Sequence, residues 1–312
     1  MHGRWTDWEA AWEQALYGTG GFVHDGHAPA QHFRTSVHIG TVLAEALLDL
    51  LERIDHALGR PETLDLVDLG AGGGELLSAM VATADPALLR RLRPLAVDLR
   101  PAPPGWELSW RGRLPEQVVG LVVAHEWLDA LPCPVVLHDG NAVRRVQVAP
   151  DGTERLGPAA AGADLAWLCR WWPLAPGARA EVGLPRDRAW QQVLRQVRAG
   201  AGLAVDYGHV RGARPTAGTL SAYRGGRQVR PRPDGSCDLT AHVAMDSVAA
   251  LASGTHTTQA RALRTFSPPQ QSRPNSWLQH AVRAGELAEL SDPAGLGGFG
   301  WVLHPAHVDL AL

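Results

Sequence analysis

Apolar residues recur along this chain at two spacings, and the change from one to the other organises it. Trp5, Trp8, Trp12 and Leu16 fall at helical intervals. They predict a short N-terminal amphipathic helix whose aromatic face packs on the body of the protein. Residues 17–30 are rich in Gly, His and Pro and read as a loop. A single long helix is expected over 35–58, with Thr35 or Ser36 as its N-cap and an apolar stripe through Val42, Leu43, Ala46, Leu47 and Leu50. Gly59 stops it, with Pro61 beyond.

From Leu64 the spacing becomes that of strands alternating with helices. Leu64–Leu69, Leu95–Asp98, Val118–Ala124 and Ala201–Asp206 are short apolar runs. Their near-continuous hydrophobicity is that of strands covered on both faces, and Glu75–Ala82 reads as a helix between the first two. The rhythm breaks twice. Residues 133–190 hold a hairpin (135–138 and 143–148 around Asp139-Gly140) and a helix at 163–172. Residues 208–236 form a second insertion rich in Gly, Pro and Arg. The pattern predicts an α/β fold of Rossmann-like type. Residues 1–60 form an N-terminal helical segment, either a lid or a packing element. Residues 61–312 form the sheet domain with the two insertions.

Composition narrows the function classes. The 312 residues are 45% hydrophobic and 20% charged, with a net charge of −3 and a pI near 6.5. That balance argues against duplex nucleic acid as a partner. Every basic residue is arginine, so no lysine can form a Schiff base or serve a phosphate loop. Cys133, Cys169 and Cys237 are far apart in sequence, which disfavours a zinc knuckle or a disulfide framework and fits a reducing, cytoplasmic setting. No run approaches 18 apolar residues and no leader pattern opens the chain, so no membrane span is expected. The 14 histidines are scattered without metal-ligand spacing, and no metal site is expected.

Candidate chemistry concentrates where the first strand meets its helix, at Val67-Asp68-Leu69-Gly70-Ala71-Gly72-Gly73-Gly74-Glu75. Glycines allow a sharp turn and let a ligand approach the main chain, and the helix start offers free N–H groups. Gly70, Gly72 and Gly74 are therefore candidate cofactor contacts. Asp68 lies beneath the loop, where it can fix the loop or receive an ammonium. Asp98 ends the next strand, where a carboxylate can accept both hydroxyls of an adenosine ribose. A nicotinamide or flavin dinucleotide would want a third glycine where Glu75 stands. The GxGxG form favours S-adenosyl-L-methionine (SAM) instead. The next strand ends in His125-Glu126-Trp127-Leu128-Asp129. Its two carboxylates are three residues apart and can share a face, and His125 can wall the cofactor.

Together these motifs resemble the MidA family of SAM-dependent methyltransferases, which includes the mitochondrial arginine methyltransferase needed for complex I assembly; the actinobacterial branch looks nearest. The resemblance runs from about His32 to about Leu303. It rests on His32-Phe33-Arg34-Thr35-Ser36, the glycine loop, Glu126-Trp127-Leu128-Asp129-Ala130-Leu131-Pro132, Asp206-Tyr207-Gly208, Gly218 to Arg224, and Asp238 to Val243. Departures occur where the family has Thr-x-Pro-Glu and this chain has Thr35-Ser36-Val37-His38, and where Asn often precedes the glutamate and His125 stands here. A third is Asp68-Leu69 in place of Glu-Leu. The resemblance implies a methyltransferase acting on arginine of a protein, such as a respiratory-complex subunit. Glu126 and Asp129 would be the catalytic acids, and Asp206, Tyr207, Tyr223, Asp238 and His242 substrate-pocket candidates. A small-molecule methyltransferase and a non-catalytic SAM-binding assembly factor are the alternatives.

Overall fold

A computed structural model describes residues 5–23, 36–266, 276–310 and 312. The chain forms two compact units, each assembled from separated stretches. One comprises residues 34–127, 191–207 and 252–312; the other comprises residues 1–33, 128–190 and 208–251.

The first unit is built on a seven-stranded sheet. Its strands are β1 Leu64–Leu69, β2 Leu92–Val97, β3 Ser109–Arg111, β4 Val118–His125, β5 Val197–Asp206, β6 Thr255–Thr258 and β7 Gly300–Ala306. The order across the sheet is β6-β7-β5-β4-β1-β2-β3. All neighbouring pairs from β5 to β3 are parallel, and β7 runs antiparallel to both β5 and β6. This is the doubly wound α/β sheet that the alternating pattern predicts. The strand order reverses between β1 and β4, the position where such sheets open a crevice at their carboxyl edge.

Helices α1 Val42–Ala57 and α2 Glu75–Thr83 pack on this sheet. The stripe along α1 is buried as its spacing requires, from Val42 through Leu43, Leu47, Leu50 and Leu51 to Ile54. Its start corrects the sequence reading. Ser36–His38 is a separate 3-10 turn, and α1 begins only after Thr41. Gly40 is the cause: its φ of +59° breaks the helical path, and a Cβ there would stand 2.0 Å from the Glu286 carboxyl carbon. Thr35, the other proposed cap, and His32 to Arg34 lie outside the described residues. The end is as expected, with Gly59 at φ +74° just past the cap residue Leu58. Asp55, buried on α1, is held bidentately by Arg91 at 2.7 Å for each oxygen.

In the second unit, the strands Thr6–Asp7, Val135–His138, Val143–Val148, Glu154–Ala159 and Arg179–Glu181 make an antiparallel sheet. The expected hairpin at 135–148 is its centre. The helix Trp8–Tyr17 buries Trp8, Trp12 and Leu16 against Val135, Val146, Leu239 and Ala241. Indole Nε1 of Trp8 also donates to Glu154 at 2.5 Å. A second small sheet pairs Ser221–Arg224 with Arg227–Val229 on one side and with Asp238–Thr240 on the other. Among the described residues no helix is long and apolar enough to cross a membrane.

Candidate functional site

Parallel register brings the chemistry-bearing residues of the first unit to one edge of its sheet. Leu69 pairs with Val97 on one side and Ala124 on the other, and His125 pairs with Val205. Gly70, Asp98, Glu126 and Asp206 therefore follow or end neighbouring strands at the same carboxyl edge.

The glycine loop is shaped by three different demands. Gly70, Gly72 and Gly74 all have positive φ, at 77°, 65° and 84°. A Cβ on Gly70 would stand 2.6 Å from the Trp127 ring, and one on Gly74 would stand 2.1 Å from the Trp106 ring. Those two glycines make room for tryptophans of the same unit. Gly72 differs: the nearest atoms to its ideal Cβ are Nη2 of Arg100 at 3.7 Å and Oε2 of Glu75 at 3.9 Å. Its main chain is therefore the least crowded of the three.

Asp68 sits on β1 beneath this loop and is 4% exposed. Burial is the main cause of a carboxyl pushed up to about 7, opposed by the Leu77 amide in the first turn of α2 and reinforced by Asp98 and Glu75. Its Oδ2 is buried and has no hydrogen-bond partner among the described residues. Such an atom is costly unless a ligand or an ordered water donates to it.

Asp98 immediately follows β2. Its Oδ2 accepts the Gly72 amide at 2.9 Å, so the acid and the loop are tied together directly. Its oxygens also take the side chain of Arg100 through Nε and Nη2, each at 3.1 Å, and the Arg100 amide at 2.9 Å. Arg100 was not a candidate from the sequence; its signal was a cation two residues beyond a strand-end acid.

At the end of β4, His125 is buried, and burial pushes its imidazole down to about 4, so the ring is neutral at pH 7. Its ring stacks near Phe299 at 6.4 Å, and Tyr207 meets the same Phe299 at 5.5 Å. The Nε2 of His125 has no partner among the described residues. Glu126 adopts φ +51°, left-handed for a residue with a side chain, and its amide donates to Val205 O at 2.8 Å. Conformations of this kind cost about 1–3 kcal/mol and concentrate at functional sites. Glu126 Oε1 lies 3.6 Å from Nδ1 of His125. Asp206, 1% exposed, ends the neighbouring strand β5.

Glu126 and Asp129, the two acids expected after this strand, fall on either side of the point where the chain passes from one unit to the other. Glu126 belongs with the sheet, whereas Asp129, Tyr223, Asp238 and His242 belong to the second unit. There Asp129 accepts from the Thr240 hydroxyl at 2.6 Å, and Tyr223 stands opposite Asp238 across a strand pair. The His242 amide donates to Thr219 Oγ1 at 3.0 Å. Arg186, 1% exposed, gathers this region. It donates to the carbonyls of Asp129 (2.7 Å), Leu131 (3.1 Å), Ala241 (3.0 Å) and His242 (3.0 Å). The chain segments carrying Asp129 and His242 are thus held by one guanidinium.

A family profile described as "Putative S-adenosyl-L-methionine-dependent methyltransferase" matches residues 98–263, over half of the chain. Two crystal structures of Burkholderia thailandensis proteins from one superfamily share the fold. The first, bound to S-adenosyl-homocysteine, has 24% identity and a TM-score of 0.81. The second, a native structure, has 23% identity and a TM-score of 0.79. Each alignment covers 99% of this chain and 89% of the other. Comparison with curated proteins gives no match. The cofactor is S-adenosyl-L-methionine, as the family's description states.

Proposed function

We propose that this chain, which belongs to the family of S-adenosyl-L-methionine-dependent methyltransferases, methylates arginine side chains of a protein substrate. The observation that carries the reading is the pair of acids, Glu126 and Asp206, at the ends of adjacent strands β4 and β5, with Glu126 fixed in a strained backbone. The resemblance to the MidA family supports the same acceptor.

The edge of the sheet fits the cofactor. The unpartnered Oδ2 of Asp68 would receive its ammonium, Gly72 would let it lie against the main chain, and Asp98 would take the ribose hydroxyls. Gly70 and Gly74 would shape the loop, and His125 would wall the site as a neutral ring. Bound S-adenosyl-L-methionine would supply a methyl group made electrophilic by its sulfonium.

The acceptor side follows from the chemistry of guanidinium. It stays charged in proteins and presents five N–H donors in a planar fork. Carboxylates orient that fork and take the proton released when a nitrogen is methylated. Glu126 would accept that proton, and Asp206 would hold the fork. Tyr207 would supply an aromatic wall.

The test is transfer of labelled methyl from S-adenosyl-L-methionine into a soluble protein extract, followed by acid hydrolysis and identification of methylarginine. Protein-bound methylarginine that Glu126→Gln abolishes, while that variant still binds cofactor, is the expected result. Label confined to small molecules would assign a metabolite acceptor instead. No transfer with intact cofactor binding would leave an assembly factor.

A further inference from the structure

The Asp98 carboxylate is already saturated. Oδ1 accepts the Arg100 amide and Nε; Oδ2 accepts the Gly72 amide and Arg100 Nη2. An ionised carboxylate offers about four lone-pair sites, so a ribose diol can reach it only by displacing something. The two backbone donors are fixed by the loop. The two guanidinium donors belong to a side chain and are the pair that can leave.

We propose that Arg100 is a built-in competitor for the cofactor's ribose, and that its guanidinium must leave Asp98 before the two hydroxyls can bind. This rests on the reading of Asp98 as the ribose acceptor. The exchange is one for one, two N–H donors replaced by two O–H donors, so it yields no additional hydrogen bonds. It also breaks an ion pair whose side chains are 14% and 7% exposed. Only the side chain has to move, because the Arg100 amide stays on Asp98 and its carbonyl is held by Trp110 Nε1 at 2.8 Å. A second acid is at hand: Nη2 of Arg100 and Oε2 of Glu75 both lie within 4 Å of the ideal Cβ position of Gly72. The guanidinium therefore has Glu75 within reach across the mouth of the loop. Arg100 keeps the acid and the loop formed without cofactor, and it lowers the affinity for any ligand that needs the ribose contact.

Calorimetric titration of the full chain with S-adenosyl-L-homocysteine and with its 2′,3′-dideoxy analogue tests this. Arg100→Ala and Arg100→Gln are measured beside the wild type. The expected result is that both variants bind the hydroxylated ligand about three- to tenfold more tightly and the dideoxy ligand no differently. Unchanged or weaker binding of S-adenosyl-L-homocysteine in both variants overturns the proposal, as does an equal gain for the two ligands. Asp98→Ala separates the underlying reading. If it leaves binding of S-adenosyl-L-homocysteine unaltered, the ribose assignment fails, and the Arg100 proposal falls with it. If it weakens binding and the Arg100 variants do not tighten it, the competitor alone is refuted.

Discussion

The amide of Gly72 donates to the carboxylate of Asp98 at 2.9 Å, joining positions 26 residues apart. The middle of the glycine loop is therefore pinned by the acid at the end of the next strand, and two parts of the proposed cofactor site are preformed as one piece. Preorganisation of this kind spares a ligand the entropy of ordering the loop.

The loop glycines should separate by their neighbours. Gly74→Ala puts a methyl 2.1 Å from Trp106 at φ +84°, and is expected to cost about 2–3 kcal/mol of stability. Gly72→Ala meets nothing closer than 3.7 Å and should cost only about 1–2 kcal/mol of backbone strain. It should nonetheless lose at least about tenfold in S-adenosyl-L-homocysteine affinity. Thermal melts beside calorimetry give both quantities, and loss of stability without loss of binding at Gly72 would remove it from the site.

Cofactor binding should release a proton in mildly acidic solution. With its carboxyl near 7, Asp68 is largely protonated in the free protein at pH 6 and must ionise to receive an ammonium. At pH 8 it is already ionised. Affinity for S-adenosyl-L-methionine should thus rise between pH 6 and about 7.5, until the ligand's amine begins to deprotonate near its usual value of about 8. Titrations at pH 6 in buffers of different ionisation enthalpy measure the release, and Asp68→Asn should abolish it.

His125 gives stability the opposite pH dependence from a paired histidine. Its folded-state value, about 4, lies below the ordinary 6.5 because burial disfavours the charged ring. The neutral ring costs nothing at pH 7.5, and stability is lost as pH falls from 6.5 towards 4. At pH 5.5 the loss should be about 1 kcal/mol. His125→Phe should reduce the drop in melting temperature between pH 7.5 and 5.5; an unchanged drop would assign it to other groups.

Arg186 should resist substitution more than any surface arginine. Its removal strands four buried or half-buried carbonyls, each worth about 1–3 kcal/mol when left unsatisfied. Arg186→Ala is expected to unfold the second unit at 37 °C. Arg186→Lys keeps the charge but not the fork, and should fold with a lowered melting temperature by circular dichroism.

The sheet was legible because strands buried on both faces read as apolar runs, and β1, β4 and β5 fall where those runs do. The break in the helix at Gly40 was not legible, since an isolated glycine within a helical pattern does not by itself stop it. The same holds for the acids. Spacing lets Glu126 and Asp129, three residues apart, share a face where the segment turns helically. The register of β4 with β5 also makes Asp206 a strand-end neighbour of Glu126, and register between distant strands is not written in local sequence. The strand, turn and helix around the glycine loop are contiguous in sequence, so their order is readable locally.

The interleaving of the two units constrains how the chain can be made. Strand β7, at residues 300–306, stands between β5 and β6 and supplies the paired edge for both. Until it is synthesised, one side of β5 offers unsatisfied amides and carbonyls to any passing strand. The sheet unit therefore has to wait for residues 300–306 before its hydrogen bonding can close. The other unit is complete by residue 251. Folding on the ribosome should then run in a fixed order, with the sheet closing after the other unit and with a window, while residues 252–306 are being synthesised, in which a chaperone that shields strand edges would raise the yield.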